Sequence, residues 1–292
     1  MREITLEELL EAGCHFGHQV TRSNPKARDF IFEARDNIHI IDLAKTKEGL
    51  DEAASFIKSL AEKEGSSLII VGTKRQARTI VAEAFEKAKE EDKIKGLFYV
   101  SNRWIGGLLT NLSEVAKNFK KLKNLEEKLK NKEEREKYTK KEIGLWDKEK
   151  SKLIGFYGGV TDMEKIPDAL FIIDSHMEDL AVKEAKKMGV TTVAIVDTNA
   201  DPALIDYPIP ANDDAVGSLK LIIDHIVDSW IEGRKNVKVN EELGIKNQGE
   251  AEFKKEKVED KKEKIKKVKK EKKIKKAAVK KKSKVSKVNP NS

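Results

Sequence analysis

Cysteine is almost missing: Cys14 stands alone in 292 residues. No internal disulfide framework can hold this chain, and a reducing compartment, by default the cytoplasm, is expected. No apolar run approaches the roughly 20 residues that cross a bilayer. The start, MREITLEELLEAG, carries acids where a secretory signal needs a basic patch and an apolar stretch. A soluble, non-exported protein is the expectation. There is no repeat of fixed period, which excludes solenoids and propellers. Neither the glycine spacing of a P-loop nor G-x-G-x-x-G occurs, and no Ser-His-Asp or Cys-His set has a context that supports nucleophilic catalysis.

Hydrophobic and charged residues each make up 38% of the chain, the signature of a packed body diluted by strongly polar segments. The net charge of +8 is unevenly spread: Glu250–Ser292 holds 19 lysines against 7 acids, a surplus of +12, which leaves −4 on residues 1–249. The basic character of the whole therefore belongs to its end, and any RNA contact by the body must use local patches.

The runs SSLIIVG, GLFYV, DALFIID and TTVAIVD are short, almost wholly apolar and bounded by turn residues, as strands buried on both faces of a parallel sheet are. Helical patterns alternate with them, at about Lys74–Glu91, through Lys187, and at about Asp214–Trp230. The fold class is therefore α/β, a doubly wound parallel sheet of the Rossmann or flavodoxin kind. Upstream, Thr5 and Glu8 have capping-box spacing for a short helix that stops at Gly13. CHFGHQVTRSNPKAR reads as a loop, DFIFE and NIHIIDL as a hairpin, and Lys45–Glu64 as a helix.

The rhythm breaks between GLFYV and DALFIID. There Leu108, Leu112, Val115, Phe119, Leu122, Leu125 and Leu129 mark an apolar seam on a charged helix. Thr139 and Glu142 offer a capping box for a returning helix with Trp146 and Leu153. The predicted organisation is an α/β body at 1–105 and 156–232, an inserted coiled-coil-like helical hairpin at 106–155, a linker at 233–249, and a disordered basic tail at 250–292.

Several residues are candidates for function. VGTKRQAR places Lys74, Arg75 and Arg78 where a strand gives way to a helix, a favourable place for phosphate; the plain alternative is an ordinary turn with solvated bases. Arg22, Lys26, Arg28 and Arg103 add bases on flexible backbone that suit phosphate oxygens. Trp104, beside Gly106 and Gly107, reads as a packing anchor rather than a stacking platform. The exposed seam at Val115, Phe119 and Leu122 is a candidate partner surface.

Cys14, His15 and His18 lack the second cluster of a structural zinc site. His18 can nevertheless meet Asp197, Asp213 and Asp214 at the carboxyl edge of the sheet. That group could hold a divalent metal, or Asp213 or Asp214 could cap a helix with His18 a satisfied donor. No cofactor is otherwise indicated. Asn199 stands where D-x-D phosphoryl-transfer chemistry wants a carboxylate, which weakens that reading.

Taken in order, HFGHQ, NPK, ARDNIHIIDLAKT, VGTKRQA, NRWIGGLLTN, IPDALFIID, AIVDTNADP and NDDA resemble the S2 family of bacterial small-subunit ribosomal proteins, over about Thr5–Gly233. The departures are Ser23 where an aromatic is frequent, Asn102 where His is common, and Ala211 where Gly usually precedes NDDA. The resemblance implies a parallel α/β body with a protruding helical hairpin, binding to small-subunit rRNA and to neighbouring ribosomal proteins, help in docking ribosomal protein S1, and no catalysis. Carried onto matching positions, it makes Arg22, Lys26, Arg28, Lys74, Arg75 and Arg103 the rRNA-contact candidates. The competing reading is a nucleotide or phosphate-ester enzyme with its site at the carboxyl strand ends, near Asp174 and Asp197. It predicts saturable small-ligand binding.

Overall fold

A computed structural model describes residues 2–90, 96–131 and 137–242. By compactness the chain divides into Met1–Lys238 and Val239–Ser292. The second unit is described only to Glu242, as the end of a helix, so the expected disordered tail at 250–292 lies outside the described residues.

The chain opens with α1 (Leu6–Glu11), and Thr5 and Glu8 close the expected capping box. Three short strands follow, β1 (Phe16–Gln19), β2 (Ile31–Arg35) and β3 (Ile38–Ile41), in an antiparallel sheet ordered β1-β3-β2. Asp36 and Asn37 both have positive φ, 50° and 62°. A two-residue connection of that kind matches the twist of its flanking strands, so the predicted hairpin forms. Phe16–Gln19 was expected in a loop. It pairs with β3 through an irregular register, a strand too short to show a period of its own.

Next come α2 (Leu43–Ala61), β4 (Leu68–Val71), α3 (Arg75–Glu90) and β5 (Leu97–Val100). The inserted hairpin is α4 (Leu112–Lys130) and α5 (Lys140–Tyr157). The body resumes with β6 (Ala169–Ile172), α6 (Asp179–Met188), β7 (Thr191–Val196), β8 (Tyr207–Pro210) and α7 (Val216–Glu242). Strands β5-β4-β6-β7-β8 form one sheet, parallel throughout. Numbered within that sheet, the order is 2-1-3-4-5, the flavodoxin-like winding.

Alternation along the central strands divides two cores. Leu68 and Ile70 join the residues of α2, α3 and α7, among them the fully buried Trp230. Ile69 and Val71 face the other way, toward Trp104, Leu108, Leu109, Val115, Phe119 and α6. Helices on both faces explain why β4 and β6 carry no polar residue.

Three expectations need correction. Strand β8, YPIP, was not foreseen, because proline normally argues against a strand. It is tolerated at this edge, where Ile209 turns into the first core and the Thr46 hydroxyl donates to the Pro210 carbonyl at 2.6 Å. The last helix runs to Glu242 rather than ending near Trp230, so 233–242 is helical where a linker was expected. Finally, Val115, Phe119 and Leu122 are 6%, 4% and 2% exposed. The seam is no docking surface. It closes against the chain itself: Phe119 meets Tyr157 edge-on at 5.6 Å, and Asn118 Nδ2 donates to the Tyr157 hydroxyl at 3.0 Å.

Candidate functional site

Parallel strands point the same way, so their carboxyl ends share one edge, and nearly every candidate residue meets there. Arg103 follows β5, Lys74 and Arg75 follow β4, Asp174 follows β6, Asp197 follows β7, and Asp213 and Asp214 follow β8. The Arg22–Arg28 loop is tied to the same edge. Asn24 N donates to the Thr198 carbonyl at 2.7 Å, His18 N donates to Thr198 Oγ1 at 2.9 Å, and Lys26 Nζ lies 2.5 Å from Asp201.

In this winding the ligand crevice opens where the strand order reverses, between β4 and β6. Here it is filled. Lys74 Nζ lies 3.2 Å from Asp174, 2.8 Å from Asp213 and 2.7 Å from Asp214, with the lysine side chain only 15% exposed. Burial works against its charge, but the attraction of Asp213, Asp214 and Asp174 outweighs burial and raises its pKa. Lys74 was expected to meet RNA, and instead it neutralises its own protein. Gly72 looks like a phosphate-turn glycine, yet its reason is packing, since a Cβ there would come within 2.6 Å of Val81 and 2.8 Å of Ile173.

His18 completes the corner. Its Nδ1 lies 3.1 Å from Asp197 and its Nε2 lies 3.7 Å from Asp214. The hydrogen bond to Asp197 raises its pKa against the opposing effect of burial. Asp213 is 1% exposed. Burial, then the charges of Asp174 and Asp197, push its carboxyl up to about 7 despite Lys74. One donor atom each from His18, Asp213 and Asp214 lie within 4.8 Å of one another. The amides entering α7 are not capped by Asp213 or Asp214: Asn212 Oδ1 accepts from Asp214 N at 2.7 Å and Ala215 N at 3.0 Å.

The bases that remain outward are Arg22, Lys26, Arg28, Arg75 and Arg103, all exposed. Trp104 is 4% exposed and packs in the second core, as expected of an anchor. Two buried acids that sequence reasoning passed over organise this side. The Glu184 carboxylate accepts from Gly107 N at 2.7 Å, Leu109 N at 3.2 Å, Thr110 N at 3.4 Å and Thr110 Oγ1 at 3.3 Å. It thereby satisfies three amides of the IGGLLT turn. Glu178 accepts from Thr73 Oγ1; burial raises its pKa, and the charge of Arg103 counters that. Neither stands out in sequence, because each sits at an ordinary charged position near or on α6. Their partners lie over 70 residues away in the chain.

A doubly wound sheet whose crevice is closed by its own ion pairs, with arginines turned outward and a helical arm attached, defines a scaffold that presents charge at its carboxyl edge. A family profile described as Ribosomal protein S2 matches residues 9–233, and the chain belongs to that family. Among its relatives is the small ribosomal subunit protein uS2 of Fusobacterium nucleatum, 44% identical over 237 residues, which cover 81% of this chain and 93% of that protein. The uS2 of Roseiflexus castenholzii is 49% identical over 233 residues, 80% of this chain and 85% of that protein. That of Coprothermobacter proteolyticus is 47% identical over 238 residues, 80% and 84% respectively. The family is one of ribosomal structural proteins, so this chain is not an enzyme, and the nucleotide-enzyme reading is set aside.

Proposed function

We propose that this chain is a structural constituent of the small ribosomal subunit that binds small-subunit rRNA and neighbouring ribosomal proteins during assembly and translation in the cytoplasm. The observation that carries this reading is the family match across 9–233, with identities of 44% to 49% to proteins named for that subunit. No helix among the described residues is long and apolar enough to cross a membrane, which is compatible with it. The rRNA contacts of the body are assigned to Arg22, Lys26, Arg28, Arg75 and Arg103. Lys74 is left out because its charge is already met inside the fold. Help in docking ribosomal protein S1 remains part of the reading, supported by the resemblance alone and directed to a surface other than the buried Val115–Leu122 seam.

The test is sedimentation of tagged full-length and tail-deleted protein from lysate through a high-salt sucrose gradient. Co-migration of both forms with small subunits is expected. Absence of both from intact subunits overturns the ribosomal reading. Charge reversal of Arg22, Arg28, Arg75 and Arg103 together is expected to lower incorporation, and unchanged incorporation would remove those assignments.

A narrower second reading concerns the acidic corner, where four carboxylates, Asp174, Asp197, Asp213 and Asp214, face one ammonium and one imidazole. That surplus of negative charge favours a divalent cation held by His18, Asp213 and Asp214. Calorimetric titration with Zn²⁺ is expected to show one site that His18→Ala abolishes. Equal heats from both proteins would leave Lys74 as the only cation the corner needs.

A further inference from the structure

Helix α5 shows two faces of opposite chemistry. Its inner face, Ile143, Trp146, Lys150, Leu153 and Tyr157, steps by threes and fours along α4. At about 100° per residue the opposite side carries Lys141, Leu145, Lys148 and Lys152. All four are exposed, Leu145 by 57%. The acids of α5, Glu142, Asp147 and Glu149, fall outside this arc: Glu142 is spent on the Thr139 capping box and Glu149 pairs with Lys121 of α4.

Four of the six lysines of α4 are engaged within the chain. Lys117 pairs with Glu114, Lys121 with Glu149, Lys123 with Asp162, and Lys128 lies over the Trp146 ring at 5.5 Å. Lys141, Lys148 and Lys152 have no ionic partner among the described residues. Three unpaired ammonium groups thus share one acid-free stripe. Successive ones rise by about 10 Å and about 6 Å along the helix axis, a reach of two to three nucleotide phosphates.

A second observation falls on the same side of the helix. A glycine inside a helix costs about 1 kcal/mol relative to alanine. Gly155 has an internal reason for its size, because Asn102 Nδ2 lies 3.0 Å from where its Cβ would be and donates to its carbonyl at 2.6 Å. Gly144 has none: nothing lies within 4 Å of its missing Cβ. A bare backbone with no neighbour of its own suits a close external approach.

We infer that the outer face of α5, built on Lys141, Gly144, Leu145, Lys148 and Lys152, is an RNA-backbone contact surface, with the lysines on phosphates and Gly144 admitting the sugar-phosphate chain. This rests on the rRNA-binding reading above and gives it a surface remote in sequence from the arginines of the body. A polyanion is favoured over an acidic protein because the cations form a single row with no hydrogen-bonding carboxamide or acid among them to read a folded partner.

The experiment is directed hydroxyl-radical cleavage. An iron chelate is tethered to full-length Ser151→Cys, an exposed position beside the stripe and not part of it, the native Cys14 being buried, and the protein is assembled into small subunits lacking it. A second probe sits at Gln76→Cys, beside Arg75. Localised rRNA cuts from position 151 are expected, and in the background of Lys141→Gln, Lys148→Gln and Lys152→Gln they weaken. Without the chelate, that triple variant is expected to lower the slope of log affinity for small-subunit rRNA against log salt by about 2 to 3, with its helical circular dichroism unchanged. Cuts from position 76 with none from 151 overturn the stripe and leave the RNA-binding reading intact. No cuts from either probe in subunits that contain the protein count against both. An unchanged salt slope in the triple variant also overturns the stripe.

Discussion

Lys74 shows how one residue can change meaning between sequence and fold. In VGTKR it reads as a phosphate ligand, yet it lies within 3.2 Å of three carboxylates of its own chain. Replacing it by methionine removes the cation and strands the acids, the situation in which breaking a buried ion pair costs about 3–5 kcal/mol. Urea denaturation of Lys74→Met is expected to show a loss of that order, and Asp213→Asn in the same background to recover part of it. Asp213 carries its own pH dependence. Its folded-state pKa of about 7 lies above the ordinary carboxylate value of 3.8, so between roughly pH 4 and 7 the folded state holds a proton that the unfolded state has released. Stability from this group is therefore greatest at low pH and falls as pH rises toward 7. In metal-free buffer, the melting temperature of Asp213→Asn minus that of the wild type should increase across this window. A flat difference would show that Asp213 titrates normally.

The helical arm and the turn at its base are joined to the body by different forces. The arm is anchored by burial: Phe119 is 4% exposed and belongs to the same core as Trp104. Phe119→Ala is expected to cost about 3–5 kcal/mol, measured by chemical denaturation, whereas a surface residue waiting for a partner would cost almost nothing. The IGGLLT turn is held by hydrogen bonds, with the Glu184 carboxylate as the common acceptor. Glu184→Ala leaves those amides without a partner, at about 1–3 kcal/mol for each group that water cannot reach. Faster amide exchange at Gly107 and Leu109 is the expected sign. Because Arg103 lies just before this turn, the same variant should also weaken rRNA protection around it.

Across the whole chain, charge is sorted by region. Residues 1–249 carry −4 and Glu250–Ser292 carry +12, so the +8 total misdescribes both. The negative body fits the structure, in which part of its own basic charge is met by ion pairs at Lys74, Lys117, Lys121 and Lys123. Residues 1–249 alone are therefore expected to bind unstructured RNA weakly. The full chain should bind it more tightly, with a steeper salt dependence. Filter binding at several salt concentrations measures both, and tight binding by the truncated chain would contradict the assignment of specificity to local patches.

What the linear order of residues decided by itself was everything that depends on near neighbours and on period. Four apolar runs alternating with amphipathic helices specify the parallel sheet. Capping boxes at Thr5 and Thr139 start two helices where expected, and the motif series marks the family. Strands β1 and β8 escaped because four residues, two of them proline in β8, carry too little period to read. Whether the α4 seam faced a partner or its own chain was open until α5 was seen to cover it. The roles of Lys74, Glu178 and Glu184 were equally hidden, since a charge acquires its partner only when folding brings together segments 70 to 140 residues apart. Periodicity is a local property of the chain. The pairing of buried charges is a property of the closed sheet edge, and only the tertiary structure decides it.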